Sequence, residues 1–437
     1  MVAKKRAKPR SGRRAAVVSG LRTPFVKSNG VFADLKGYEL ASKLVSELMA
    51  RADLAAEEVD QLVYGQVVPE IKAPNIAREI ALATGLPRTV DAYSVSRACA
   101  TGTQALVSAA RAIEAGDADV VICGGVESLS NPPITFSDRF VKMLLKANSA
   151  KDPMAKAKAF AKLKLRDLMP NPPAIAEFST GLTMGESAEV MAKANGIERA
   201  PQDQLAEKSH KNAVSAWDRG IYDAEVMPVA VGTGFKDTVT RDNLMRADTS
   251  FEKLSKLKPV FDRKYGTITA GNSSALTDGA SALLVMSESK AKALGYEPLC
   301  FVKSWGFAAI DPNWQLLLGP AFASPLALDR AGMTLADIDI VDMHEAFAAQ
   351  MLSNMQAFAS DDFAREHLGK SEAVGEIPDE KLNPFGGSLA LGHPFAATAG
   401  RQVLTMGHEL RRRGSGTALV TQCAAGGIGA AVILERD

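Results

Sequence analysis

YSVSRACATGTQALVSAARAIEAGDADVVICGG, residues 93–125, sets the architecture. It opens as a short strand, turns through small residues around Cys99, and continues as a helix that ends at Gly116, a normal helix stop. DVVICGG, residues 119–125, is an apolar run of the kind seen in a strand covered on both faces. This alternation of strand and helix predicts α/β architecture. Upstream, AAVVSG (15–20) reads as the first strand and 37–51 as a helix. LVYGQVV (62–68) follows as a strand, and IAREIALATG (76–85) as a helix ended by Gly85.

Downstream, residues 126–260 break the rhythm, with NPP at 131–133 and 171–173 and a Lys-rich middle. They read as a loop domain inserted into the first α/β unit. The rhythm resumes at YGTITAGNSSALTDGASALLVMSE (265–288). A strand near 338–343 and helices from about Glu345 and after Pro394 follow. The end is a hairpin of TALVTQC and GAAVILE around a glycine turn. Each half carries an apolar strand leading to a short reactive motif at a helix start, a pattern that an internal duplication would explain. The expected division is a basic flexible tail (1–14), an N-terminal half (15–125 and 261–290), the inserted domain (126–260) and a C-terminal half (291–437).

The 437 residues are 46% hydrophobic, enough for a large core. Lys and Arg number 51 against 50 Asp and Glu, a balance that argues against a dedicated nucleic-acid surface. Four cysteines, at 99, 123, 300 and 423, lack CxxC spacing. Neither a zinc site nor a disulfide scaffold is suggested, and a reducing, cytoplasmic compartment is expected. The opening MVAKKRAKPRSGRR carries seven basic residues and reads as a flexible tail or an organelle-targeting segment. No run of about 18 apolar residues predicts a membrane span.

Four regions carry candidate chemistry. In SRACATGTQAL, Cys99 precedes a helix whose backbone N–H groups and dipole would favour a thiolate; a buried structural cysteine is the competing reading. In NPFGGSLALGHPFAATAGRQ (383–402), His393 sits on a glycine-rich approach that leaves its ring accessible, suited to taking the Cys99 proton. In TQCAAGGIGAAVI (421–433), Cys423 ends a strand at a turn whose N–H groups can face a substrate, and it is a candidate second acid or base. In MHEAFAAQ (343–350), His344 follows a strand and either orients a water, touches a carbonyl oxygen or caps a helix. His210, His367 and His408 lie in charged helical surroundings and read as solvent-facing.

Together these regions resemble the thiolase family along nearly the whole chain. SRACATG matches its nucleophile motif, Gly392–His393–Pro394 its GHP motif, and TAGNSS (269–274) its coenzyme A tunnel segment. The resemblance implies two similar α/β halves in five layers, α-β-α-β-α, with the inserted loop domain over the active site. It implies thiolysis of a 3-ketoacyl-CoA by ping-pong kinetics. The catalytic set would be Cys99, His393, Cys423 and His344. Oxyanion holes would form from the N–H groups of Cys99 and Ala425 and from His393. Ser274, Thr183 and Met184 would be coenzyme A contacts. Coenzyme A is a co-substrate; no cofactor or metal is implied.

Two variants, HEAFA for NEAFA and CAAGG for CGGG, resemble the thiolase subunit of the fatty acid oxidation complex. They imply medium- or long-chain substrates, a homodimer and a hydratase/3-hydroxyacyl-CoA dehydrogenase α-subunit partner. Thr183, where many short-chain thiolases have histidine, points away from acetoacetyl specificity. Residues 139–166, with nine Lys or Arg and one Asp, form a basic amphipathic stretch. It reads as a solvated surface, a peripheral membrane contact or an α-subunit contact. The alternatives are a short-chain thiolase, a decarboxylating ketoacyl synthase, which needs no second thiol, and a non-catalytic lipid carrier.

Overall fold

The computed structural model describes residues 12–171, 176–234 and 236–437. The basic tail expected over 1–14 lies outside the described residues up to 11. Its last two members are pinned rather than loose: Arg13 bonds the Ile113 carbonyl and Asp119, and Arg14 bonds Asp437 and Glu435.

The N-terminal half begins β1 (Ala15–Arg22), α1 (Gly37–Ala52), β2 (Gln61–Gly65), α2 (Ile76–Ala83). It continues β3 (Asp91–Val95), α3 (Thr101–Ala115), β4 (Val120–Glu127). An insertion follows, with α4 (Asp138–Ser149), α5 (Pro153–Ala159), α6 (Met184–Ala194) and α7 (Arg199–Asp218), before β5 (Thr277–Ser287) closes the half. The C-terminal half runs β6 (Cys300–Ala309), α8 (Gly319–Ala331), β7 (Ile340–Met343), α9 (Ala348–Phe358), α10 (Thr398–Arg413), β8 (Gly416–Ala424) and β9 (Ile428–Arg436).

Strand pairing exposes the duplication. In the first half β2 runs parallel to β4, β4 antiparallel to β5, and β5 antiparallel to β1. In the second, β7 runs parallel to β8, β8 antiparallel to β9, and β9 antiparallel to β6. β3 extends the first half beyond β2. Two residue pairs between β1 and β6 join the halves into one continuous ladder.

Side-chain alternation along these strands creates the layers. Val17, Val121 and Cys123 point to the same core as Val302, Val420 and Val432, with α3 and α10 between them. Ala16, Val120 and Ile122 point the other way, to α1 and α2. Leu419, Ala431 and Ile433 point away from the centre, to α8 and α9. The result is the five-layer α-β-α-β-α stack.

Local chemistry explains most boundaries. α3 stops because Gly116 adopts φ 85° and its N–H caps the helix end. α6 starts at Thr183, whose hydroxyl accepts from the Glu186 N–H in a capping box. Two expected starts are displaced. α9 begins at Ala348 rather than Glu345, because Phe347 is extended and bridges to Ser273 while the Ala346 carbonyl accepts from the Ser274 N–H. A 3-10 turn, Phe395–Ala397, separates Pro394 from α10. The Lys-rich stretch is two capped helices, with Ser137 and Asp152 as N-caps, and not one amphipathic helix.

The far end of the insertion is fastened to β1 by a fully buried guanidinium. Arg22 bonds Glu225 at 2.7 Å and Asp242 at 2.7 and 2.9 Å. Removing the cation leaves two buried carboxylates uncompensated, which costs about 3–5 kcal/mol. Arg22→Leu is therefore expected to lower unfolding free energy by that amount in urea titrations, whereas Arg51→Leu, at an exposed helix ion pair, changes it by less than about 1 kcal/mol.

Candidate active site

The reactive segments meet at the carboxyl ends of the strands, where connecting loops in α/β sheets gather. Cys99 lies between β3 and α3. Ala98 before it holds φ 44°, a left-handed conformation that costs a residue with a side chain about 1 kcal/mol. Thr101 braces this elbow: its Oγ1 accepts from the Arg97 N–H and donates to the Ala98 carbonyl. His344 follows β7 directly, Cys423 lies near the end of β8, and His393 precedes α10.

Cys99, Cys423, His393 and Ala425 line one cavity of about 370 Å³. Ser274 and Met184 line it as well; Thr183 does not, because its hydroxyl is spent on the cap of α6. The remaining wall is apolar and includes Val67, Val68, Pro133, Leu276, Phe347 and Phe395. A second cavity of about 270 Å³ lies on the other side of the 269–276 segment. It is lined by Gly271 and Ser273 together with His210, Arg246 and Lys253.

His344 and His393 stack with ring centroids 4.0 Å apart. The Nδ1 of His393 pairs with the Thr398 hydroxyl at 2.7 Å, and that of His344 with the Ser388 hydroxyl at 2.9 Å. Both Nε2 atoms are buried without a protein partner. His393 is 5% exposed, so the accessible ring expected from its glycine-rich approach is in fact buried. Burial first, then the Arg401 charge, pulls its pKa down to about 3. His344 is also lowered well below its ordinary value, by burial, then His393, then Arg401.

The cysteines move the opposite way. Burial pushes the Cys99 thiol up to about 12, opposed by a hydrogen bond from the Ala425 N–H and by its own N–H. Desolvation at Cys99 thus works against the local dipoles that the helix start supplies, although the residue is only partly buried. Cys423 is raised well above its usual value by burial and then by Cys99. All four cysteines are free, with Cys123 and Cys300 in the central core.

Several supports carry no sequence period that would announce them. Glu345 accepts from Ser209 Oγ at 2.6 Å, Asn383 Nδ2 at 2.6 Å and the Leu389 N–H at 3.1 Å, which fastens the His344 segment to the glycine-rich one. Glu127 accepts from the N–H groups of Val67, Val68 and Ala396, and burial pushes its carboxyl up to about 8. Thr398 and Ser388 set the histidine rings.

Of the three histidines expected to face solvent, His367 is exposed, stacked on Trp314. His210 is buried and accepts from the Arg246 N–H; His408 is half-buried with a buried Nε2. Among the described residues no His, Cys, Asp and Glu cluster is set to hold a metal. No helix there is long and apolar enough to cross a membrane.

This site and fold are those of a known class. Residues 15–289 match the model of the thiolase N-terminal domain and 296–436 that of the thiolase C-terminal domain. The chain belongs to the thiolase family. It is 53% identical to a 3-ketoacyl-CoA thiolase of Yersinia enterocolitica and 52% identical to one of Yersinia pestis, each over 98% of both chains. Among solved structures it resembles an acetyl-CoA acetyltransferase of Bacillus anthracis (TM-score 0.83, 30% identity), covering 98% of this chain and 100% of that one. It also resembles human mitochondrial 3-ketoacyl-CoA thiolase (TM-score 0.82, 30% identity), covering 97% and 98%.

His210 supplies a test of the electrostatics outside the reacting groups. Burial, then Arg246, lowers its pKa to about 4. A depressed folded value stabilises above the unfolded value of about 6.5, and that stability is lost as pH falls toward 4. His210→Asn, which keeps an acceptor for the Arg246 N–H, is expected to lose about 2 kcal/mol less stability than the parent between pH 7 and pH 4.5 in urea titrations.

Proposed function

We propose that this chain catalyses thiolysis of medium- and long-chain 3-ketoacyl-CoA, giving acetyl-CoA and an acyl-CoA two carbons shorter. The observation that carries the reading is the convergence of two thiols and the unpartnered Nε2 of His393 at one apolar cavity, with the fully buried His344 ring packed against His393 and not itself part of the cavity wall.

The sulfur of Cys99 attacks the 3-oxo carbon while His393 Nε2 takes its proton. Burial raises the thiol and lowers the imidazole, which favours the neutral pair at rest and proton transfer in step with C–S bond formation. The C2–C3 bond then breaks. The departing acetyl-CoA enolate is stabilised at its thioester oxygen by His393 and by His344, directly or through a water. Cys423 protonates the enolate carbon, leaving the shortened acyl group on Cys99. Cys423 next accepts the thiol proton of a second coenzyme A, whose sulfur attacks the acyl-enzyme. The N–H groups of Cys99 and Ala425 hold that oxyanion, and His393 returns its proton to the departing Cys99 sulfur. Hydroxyl partners suit this cycle: Thr398 and Ser388 can donate to Nδ1 or accept from it, whichever tautomer the ring adopts.

The apolar wall supports a long acyl chain. Ser274 and Met184 are placed for the thioester arm, while Thr183 is withdrawn from that role by its cap. The second cavity supplies Arg246 and Lys253, cations suited to the phosphates of coenzyme A. The same reading includes the residue division given above, with a catalytic half on either side of β5 and β6. It includes a homodimer and an α-subunit partner. The basic α4–α5 hairpin, with Leu144 and Leu145 exposed beside Lys142 and Lys146, supports a contact surface for that partner or for peripheral membrane association. Free cysteines support a cytoplasmic, reducing location.

Coenzyme A-dependent cleavage measured on 3-ketoacyl-CoAs from C4 to C16 is expected to rise with chain length. Confinement to C4 would replace the long-chain reading with an acetoacetyl one, and malonyl-thioester decarboxylation without thiolysis would favour the synthase. Cys99→Ala is expected to fold and to retain no label from labelled acyl-CoA. Cys423→Ser is expected to acylate Cys99 yet lose about 10²–10⁴-fold in turnover; parental turnover would remove Cys423 from the mechanism.

A further inference from the structure

A buried chain of side-chain hydrogen bonds touches all four reactive segments without touching the cavity. Thr103 Oγ1, in the first turn of α3 and four residues after Cys99, donates to Gln422 Oε1 at 2.5 Å. Gln422 is the residue before Cys423, and its Nε2 donates to Gln402 Oε1 at 2.5 Å. Gln402 lies in α10, whose first residue, Thr398, holds the His393 ring. Its Nε2 donates to Asp342 Oδ1 at 2.7 Å and to the Asp342 carbonyl at 3.1 Å. Asp342 lies in β7, two residues before His344, and pairs with Arg401. Every member is 2% exposed or less.

None of these five lines the cavity, so none is a catalytic residue. Their arrangement is still more than filling. The two glutamine side chains each use one acceptor and one donor in the same direction along the chain. Exchanging the ends of either amide would face donor against donor or acceptor against acceptor. The chain therefore has one satisfied arrangement, and that arrangement fixes where α3, β8, α10 and β7 stand relative to one another. The reaction moves protons among groups carried separately on those four elements, and misplacement by about 1 Å can cost on the order of 100-fold in rate.

We propose that Thr103, Gln422 and Gln402 are positioning residues that set where Cys99, His393, Cys423 and His344 stand relative to one another. The inference rests on the two-thiol reading above. It ties the chain most closely to carbon–carbon chemistry, which needs all four groups in register, and less closely to acylation of Cys99 from a simple acyl-CoA, which needs Cys99, His393 and Cys423 but forms no enolate. Thr103 is the best probe, because Val preserves its shape and removes the hydroxyl, whereas Ser restores the hydroxyl.

The experiment measures each variant per folded, acylatable Cys99, titrated with labelled acyl-CoA, so that loss of folded protein cancels. Thr103→Val is expected to lower kcat for thiolysis by about 10- to 100-fold. KM for the ketoacyl substrate should stay within about threefold of the parent, the rate of Cys99 acylation should fall by clearly less than kcat does, and Thr103→Ser should recover most of kcat. Gln422→Met, which removes both links at once, should show the same split. Combined with Thr103→Val it should add little, as expected for two changes in one connected chain. Should Thr103→Val fail to fold, Gln422→Met and Thr103→Ser carry the same comparison. Parental kcat per acylatable site in the folded variants, or an equal fall in acylation and thiolysis, overturns the positioning role. Failure of the parent itself to acylate Cys99 overturns the reading of the site, which separates the two failures.

Discussion

The backbone around Ala396 leaves no room for a side chain between the halves, and the site depends on that contact. A Cβ at Gly102 would lie 2.7 Å from the Ala396 carbonyl oxygen and 2.9 Å from Ala399 Cβ; one at Gly125 would lie 2.2 Å from the same oxygen. The first turn of α3 and the end of β4 thus press directly on the segment that follows His393. Glu127 completes the joint by accepting the Ala396 N–H. Because Cys99 belongs to one half and His393 to the other, this close packing brings the proposed nucleophile and base together. A methyl group at either glycine would have to separate them or break the joint.

Much of this was legible in the residues. The alternation of strands and helices, the helix ending at Gly116 and the glycine-rich approaches to His393 and Cys423 all use local signals that survive in three dimensions. The catalytic candidates were visible because reactive residue types stood among small ones. What was hidden is non-local. Glu127, Glu345, Ser388 and Thr398 look like ordinary polar residues until distant segments close over them. The protonation states were hidden for the same reason. A helix start lowers a thiol pKa locally, but the desolvation that raises Cys99 comes from both halves and the insertion. His210 read as a solvated helical residue because its own helix is charged; the segment that buries it, around Arg246, lies far along the chain.

The duplicated topology also explains why the two halves do different work. The hairpin between β8 and β9 stays tight, so residues 425–427 form a turn whose N–H groups are available: Ala425 faces Cys99, and Gly426 bonds Glu177. The equivalent connection between β4 and β5 has opened to admit the insertion, which returns Pro133, Ala176 and Met184 as cavity wall. One half keeps the compact turn proposed above to hold an oxyanion, while the other has exchanged it for part of the cavity wall. The Arg22 cluster holds the far end of the inserted segment to β1, so the wall is fixed to the sheet at both ends of its course.

Burial sets the chemical character of the site. A thiol–imidazole pair in a wet cleft can rest as a thiolate and an imidazolium. Here desolvation penalises both charges, and Arg401 adds a further penalty on the imidazolium side. Carboxylate partners at Nδ1 would have opposed that effect by stabilising a positive ring; the hydroxyls of Thr398 and Ser388 do not. The neutral resting state costs some nucleophilicity. On the mechanism proposed above, the strongest electrostatic response in the cavity is reserved for negative charge that develops on substrate oxygen, next to the buried Nε2 of His393, which has no protein partner to release first. Carbon–carbon cleavage through an enolate places its charge on that oxygen. A site kept neutral until the substrate arrives is therefore matched to the transition state and not to the free thiol.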